Sequence, residues 1–316
     1  MDNFASQTQR QFWGNFRLYL SLALILSASF AARCVRAQQS ARPPITGIAA
    51  VQVYVTNAEK ARAFYEQQLG FVPKNSGCAE GILVCLVVSS HQEIQLIQAP
   101  NPVSANLIAK VAFATPDVAA MRRYLQSKGY DTNSIATSAD HVQHFSLRDP
   151  EGHVVIFVQL PASQPKDKPT DQLSARIIHA GFIVKDRQAE DHFYKDVLGF
   201  HLYWQGGMKD NETNWVSMQL PDGTDWIEYM LNVAPDASAH VIGIMNHIAL
   251  GVPAIQAAKL QFVKNGGKLG EEPKLGRDGK WQLNLYDPDD TRVECMEFKP
   301  VEKPCCSEFT GTHPTP

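Results

Sequence analysis

Residues 47–71, GIAAVQVYVTNAEKARAFYEQQLGF, and residues 175–200, ARIIHAGFIVKDRQAEDHFYKDVLGF, follow one pattern about 129 positions apart: a short strand, a polar turn and an amphipathic helix ending in Leu-Gly-Phe. Phe64-Tyr65 aligns with Phe193-Tyr194, and Leu69-Gly70-Phe71 with Leu198-Gly199-Phe200. A chain that repeats at this length is one supersecondary plan used again, so the plan of the repeat bounds the fold. A shorter repeat lies inside the long one. NLIAKVAFATPDVAAMRRYLQSKGY (106–130) and IMNHIALGVPAIQAAKLQFVKNGG (244–267) show the same strand, turn, helix and glycine, which gives four units starting near residues 47, 107, 176 and 244.

After each helix come runs rich in β-branched and aromatic residues, such as GILVCLVV then HQEIQLIQ, and WVSMQL then DWIEYML, separated by Gly, Pro and Asp turn signals. Each unit therefore reads as β-α-β-β-β. Ala61, Phe64, Tyr65 and Leu69 on one helix, and Phe193, Val197 and Leu198 on another, form apolar stripes for packing on a sheet. The Pro-, Lys- and Asp-rich stretch 161–175 reads as a linker dividing two halves, 45–160 and 176–299, with a tail at 300–316. A hydrophobic content of 44% in 316 residues suffices for two cores of common size. A formal charge of -3, without a Lys/Arg run interleaved with aromatics, excludes a nucleic-acid partner.

The first 37 residues differ: Arg17 precedes an apolar run from Leu18 to about Phe30, then small residues and a Val35-x-Ala37 site. That is the pattern of a cleaved signal peptide, too short for the ~20 residues of a membrane span, and it predicts an exported protein, periplasmic or secreted, without stable membrane association after cleavage. Five cysteines follow (Cys78, Cys85, Cys295, Cys305 and Cys306), an odd number without framework or CxxC spacing, so the fold is not expected to depend on bridges. Cys305-Cys306 with His313 offers a metal-binding alternative to a tail pinned on the surface.

Two pairs of βαβββ units, each with an FY…LGF helix in its first member and a DP(E/D)x turn before its last strand (RDPEGHVVIFVQ, YDPDDTRVECMEF), resemble the vicinal oxygen chelate superfamily, the group of glyoxalase I, the extradiol dioxygenases and the bleomycin-resistance proteins. The resemblance covers residues 45–160 and 176–299. It implies an α+β fold of two glyoxalase-like domains, each a cupped mixed sheet. It also implies one divalent metal on a cup floor, held from the first and last strands of both units. Those four positions hold His179, Glu228, His247 and Glu294 in the second half and Ala50, Gln95, Lys110 and Ile156 in the first. The second half is thus predicted to be the metal-bearing one and the first its degenerate copy.

Alternation supports this set independently. Glu228 falls on the strand face of Trp226 and Met230, and Glu294 on that of Met296, where unpaired carboxylates are costly to bury. Glu297 is a nearby rival for Glu294, and Cys295 points to the opposite strand face. Two imidazoles and two carboxylates suit Zn, Ni, Mn, Co or Fe(II). Three functions fit the resemblance. The first is a metal-dependent lyase or isomerase of the glyoxalase I type, in which Glu294 or Glu228 moves a proton on a small substrate with vicinal oxygens; it uses both carboxylates and is the main expectation. The second is an extradiol-type Fe(II) dioxygenase using His179, His247 and Glu294, in which Glu228 crowds an open position. The third is a non-catalytic small-molecule binding protein. Tyr229, Asn246, Trp281, Gln282 and Tyr286 are further acid, base or polar candidates around the site. Oligomeric state is left open.

Overall fold

The computed structural model describes residues 41–74, 78–161 and 171–316, so the expected signal peptide and most of the expected linker lie outside the described residues. In the first half, strand β1 (Gly47–Val55) leads to helix α1 (Ala58–Arg62, continued by a π-helical turn Ala63–Gln68), then β2 (Val72–Pro73), β3 (Ile82–Val87) and β4 (Glu93–Gln98). The second unit adds β5 (Ile108–Ala114), α2 (Val118–Ser127), β6 (Ala136–Thr137), β7 (Gln143–Arg148) and β8 (Val154–Gln159). The second half repeats this plan. It holds β9 (Ile177–Ile183), α3 (Arg187–Glu190, continued by a π-helical turn Asp191–Val197), β10 (His201–Gly206), β11 (Trp215–Gln219) and β12 (Trp226–Met230). Its last unit has α4 (Ala239–Met245), β13 (His247–Val252), α5 (Ile255–Lys264), β14 (Lys274–Leu275), β15 (Trp281–Tyr286) and β16 (Arg292–Glu297).

Each half is one eight-stranded mixed sheet, β2-β3-β4-β1-β5-β8-β7-β6 and β10-β11-β12-β9-β13-β16-β15-β14. The first strands of two units meet antiparallel at the centre, β1 on β5 and β9 on β13, and each is flanked by a parallel neighbour from its own unit. This is the α+β architecture that the repeat predicts. Asn57, Asp117 and Asp186 cap three of the helices by accepting from the backbone N–H three residues on, which turns the polar residue after each strand into a helix start.

The FY…LGF and DP motifs turn out to be two ends of one contact. The Tyr65 hydroxyl donates to Asp287 in the β15–β16 turn of the second half, and the Tyr194 hydroxyl donates to Asp149 in the matching turn of the first, both at 3.1 Å. Each aspartate also accepts backbone N–H groups of its own turn. The glycine in Leu-Gly-Phe is needed because Gly70 and Gly199 have φ of 78° and 79°, and a Cβ on Gly70 would overlap the Asp171 carbonyl. Side chains from opposite halves also touch: Phe64 packs edge-on against Phe262, and Tyr130 lies tilted against Phe193 with ring centroids 4.9 Å apart. One continuous core therefore joins both sheets.

Two local expectations are corrected. The repeat places a strand start at 244–246, but Ser238 caps a helix that extends through Met245, and the strand begins at His247. The helices bearing FY…LGF end in π-helical turns, closed by Leu69 N–H to Phe64 and Leu198 N–H to Phe193, which a 3.6-residue stripe does not reveal. The described cysteines pair as Cys78–Cys85 and Cys305–Cys306, leaving Cys295 free and buried.

Glu190 marks where the halves meet. It is fully buried, its Oε1 accepts from the Glu151 N–H at 3.0 Å, and its Oε2 has no partner. Burial, reinforced by the charge of Asp149, pushes its carboxyl up to about 8. The folded protein then holds a proton that the unfolded chain releases near the ordinary carboxylate value, so stability falls as pH rises between roughly 4.5 and 8. Glu190→Gln is expected to raise stability at pH 8.5 by about 1–3 kcal/mol and to leave it nearly unchanged at pH 4.5. Urea unfolding at the two pH values checks this; equal effects at both would contradict it.

Candidate metal centre

The four residues singled out in the second half come from β9, β12, β13 and β16, all strands of one sheet. The His179 and His247 Nε2 atoms lie 2.9 Å apart. Glu228 Oε2 is 3.8 Å from His179 Nε2 and 3.5 Å from His247 Nε2, while Glu294 Oε2 is 3.5 and 3.7 Å from the same atoms. Ligand bonds of about 2.0–2.2 Å place donor atoms roughly 3–4.5 Å apart, so all five separations suit one cation. His179, Glu228 and His247 offer atoms mutually within 4.8 Å.

The tautomers and burial agree with such use. His247 Nδ1 donates to the Met245 carbonyl at 3.1 Å, which leaves its Nε2 lone pair facing the cluster. Both histidines are fully buried, and burial holds their ring pKa values well below the ordinary one, so both are neutral. Two neutral imidazoles with Nε2 atoms at 2.9 Å satisfy each other only if one donates; with His179 as the donor, its buried Nδ1 is left without a partner, as observed. Burial raises the Glu294 carboxyl to about 7, opposed by Arg292. A divalent cation between the two Nε2 atoms and the carboxylates relieves the contact of the imidazoles and the cost of the buried Glu294 charge, and the N2O2 donor set fits Zn, Ni, Mn, Co or Fe(II).

Strand register explains why only one cup carries this set. Glu228 pairs with Gly181, His247 with Gly181, and Glu294 with Ala249; in the first sheet Gln95 pairs with Gln52, Lys110 with Gln52, and Ile156 with Ala112. Ala50, Gln95, Lys110 and Ile156 are therefore the true counterparts of His179, Glu228, His247 and Glu294. Gly181 went unrecognised: a Cβ there would overlap the His247 ring, so the close approach of that ring requires glycine. Its counterpart Gln52 fills that space and donates to Gln95 at 2.9 Å.

The rival Glu297 accepts from the Ile255 N–H at 2.8 Å, so it caps α5. Among the further candidates, Tyr229 is buried in the core on the opposite sheet face, Trp281 packs against that core, and Asn246 is engaged with the Ile183 N–H and the Ile242 carbonyl. Gln282 and Tyr286 lie opposite Met296 and Arg292 on the site's face. Three neighbours were missed. Asn284, opposite Glu294, is buried with its Oδ1 unpartnered. Arg292, opposite His247, acts electrostatically on both histidines. Alternation from Glu294 could have found both. Lys280 lies outside any strand and had no such signal. It is buried against the Tyr203, Trp226 and Phe309 rings, feels Glu228 and Glu294, and is lowered to about 8 by burial.

The tail is part of this cup. Trp204 donates to the Cys305 carbonyl, Gln219 to the Thr312 carbonyl, and the Phe309 ring lies tilted 4.8 Å from that of Tyr203. His313 Nδ1 meets the Tyr203 hydroxyl at 2.5 Å, and Cys305 is bonded to Cys306, so the expected alternative of a cysteine metal site with His313 is replaced by a packed cover.

The family model described as Glyoxalase/Bleomycin resistance protein/Dioxygenase superfamily matches residues 47–157 and 176–295. A search of curated protein sequences found no match. Among solved structures, the 2,3-dioxygenase LapB from Pseudomonas sp. KL28 superposes with a TM-score of 0.62 at 15% identity, over 87% of this chain and 96% of that one. Homoprotocatechuate 2,3-dioxygenase from Arthrobacter globiformis gives 0.60 at 17% over 82% of each chain. The Brevibacterium fuscum enzyme of the same name, in its complex with 3,4-dihydroxyphenylacetate, gives 0.59 at 18%, over 86% of this chain and 87% of that one. The main sequence expectation, a glyoxalase I-type lyase or isomerase, is corrected by these likenesses, which run across both halves and are to dioxygenases, the alternative that the sequence also offered. The repeated sheets, the motifs that tie them and the family match lead to one statement: the chain belongs to the Glyoxalase/Bleomycin resistance protein/Dioxygenase superfamily.

Proposed function

We propose that the second sheet holds one Fe(II) through His179, His247 and Glu294 and cleaves the ring of a catechol with O2, as an extradiol-type dioxygenase. The observation that carries this reading is the convergence of two neutral buried imidazoles and a buried carboxylate on one point, which is the donor set of a facial triad. Iron bound there would supply simultaneous coordination of both catechol oxygens and O2. The carbon–carbon bond beside the diol breaks, and both oxygen atoms enter the product.

The chain's own residues then have distinct work. Glu228, outside the triad and steadied by the Ser217 hydroxyl at 3.4 Å, accepts a proton from a catechol hydroxyl. Lys280 and Arg292 offset the negative charge that this leaves on the ligand. Asn284 Oδ1 accepts a hydrogen bond from the ligand, and Trp226 with the tail cover keeps water out. The first half, without ligands, supports this cup through the shared core. Export of the chain is inferred from residues 1–37 alone; N-terminal sequencing of exported protein that began at Met1 would refute cleavage.

Substitution of the two carboxylates separates their roles. Glu294→Gln is expected to lose the metal, whereas Glu228→Gln keeps one iron per chain and loses roughly 100- to 10,000-fold in turnover, the range for a general base. Oxygen uptake with 3,4-dihydroxyphenylacetate and metal analysis of both variants check this. Loss of iron in Glu228→Gln, or no oxygen uptake with any catechol by iron-loaded wild type, would overturn the assignment.

A further inference from the structure

The two cups differ most in what fills them. In the second, Tyr203, Trp204, Trp226, Met296, Phe298 and Phe309 pack together across the floor. The corresponding floor of the first is Ala49, Ala50, Ala112, Ile156 and Val158, and it opens into a cavity of about 890 Å³. The cup that lacks metal ligands is therefore the roomy one. Its volume lies within the usual range for small-molecule sites.

Polar groups on this floor point to a particular chemistry. Lys110 lines the cavity at the place of His247 and forms no ion pair among the described residues. The other lining lysine, Lys74, is matched by Glu93 at 2.8 Å and Asp140 at 2.7 Å, and Glu80, the remaining acid of the lining, is solvent-exposed. Beside Lys110 stands Gln52, only 8% exposed, whose Oε1 is buried without a hydrogen-bond partner while its amide is spent on Gln95. A cation without a counter-ion and an acceptor without a donor thus sit on paired positions of adjacent strands, about 4.5–5.5 Å apart at Cα. An apolar floor lies around them.

We propose that the cup of the first sheet is a second small-molecule site, selective for an aromatic ortho-hydroxy acid: the carboxylate pairs with Lys110, the adjacent hydroxyl donates to Gln52 Oε1, and the ring lies on Ala50, Ala112, Ile156 and Val158. The site is independent of the iron reading of the other cup. It gives the degenerate half a recognition role that its lost ligands do not exclude.

Fluorescence titration of the full chain with an ortho-hydroxynaphthoate tests this, with the hydroxyl-free naphthoate and the ortho-hydroxynaphthamide as comparison ligands. One molecule is expected to bind per chain. Removing either the charge or the hydroxyl from the probe should weaken binding about tenfold or more, as should Lys110→Met, while Lys110→Arg retains it. Ile156→Trp, which fills the floor, should abolish binding, and His247→Ala should not change it. Thermal melts confirm that each variant is folded. Absence of binding to the wild type, equal affinity in folded Lys110→Met, or loss of binding in His247→Ala would overturn the proposal.

Discussion

His247→Ala is expected to reduce bound metal from one per chain to less than about a tenth and to lower catechol turnover by at least 100-fold, because groups that merely support a ligand already cost about 10–100-fold. The physical basis is that His247 is the proposed ligand whose tautomer is fixed from behind, by the Met245 carbonyl, so that its Nε2 lone pair faces the cluster. Without it, His179 has no imidazole partner at 2.9 Å, and Glu228 and Glu294 each lose a neighbour within 3.7 Å. The fold should persist, since His247 shares its strand face with Ala249 on the cup floor, opposite Ile248 and Leu250 of the core that joins the sheets. Metal analysis with circular dichroism checks this; a folded variant that retains a full equivalent of metal would contradict the ligand assignment.

Gly181→Ala is expected to produce much of the same loss without touching a ligand. The added methyl group would overlap the His247 imidazole, and Gly181 has no positive φ that would complicate the change. The ring must move, at a cost of about 1–3 kcal/mol in stability and about 10–100-fold in metal affinity. The distinguishing feature is non-additivity. In a His247→Ala background the ring is gone, so the stability penalty of Gly181→Ala should largely disappear. Urea unfolding of the two single variants and the double variant in the metal-free state measures this coupling. A penalty that persists undiminished in the double variant would mean that the glycine serves the backbone and not the imidazole.

The sequence was informative wherever a physical requirement recurs at a fixed spacing. Alternation placed Glu228 and Glu294 on the buried floor, and reading the same four points in two copies separated His179 and His247 from Ala50 and Lys110; the strand registers agree with each pairing. The meaning of Tyr65 and Tyr194 was hidden, because each aromatic completes a hydrogen bond to a turn more than forty residues away in the other half. Gly181 was equally silent, since its reason is the volume of a ring on the next strand. Lys280 and Phe309 belong to no periodic element and meet only when the tail folds back over the cup. The choice of chemistry was misjudged for a related reason: the count of donors favoured the reading that uses both carboxylates, and spacing does not show that their surroundings differ. Glu294 is raised to about 7 by burial and opposed by Arg292, and Glu228 is held by Ser217.

X-ray absorption at the iron edge, recorded on full-length protein loaded anaerobically with Fe(II) and calibrated for iron content, tests the central claim most directly. One iron per chain is expected, with two imidazole ligands and oxygen donors at about 2.0–2.2 Å, and with the imidazole signature lost in His247→Ala. Iron bound without two imidazoles, or a second equivalent held by the first sheet, would contradict a single metal centre built from His179, His247 and Glu294.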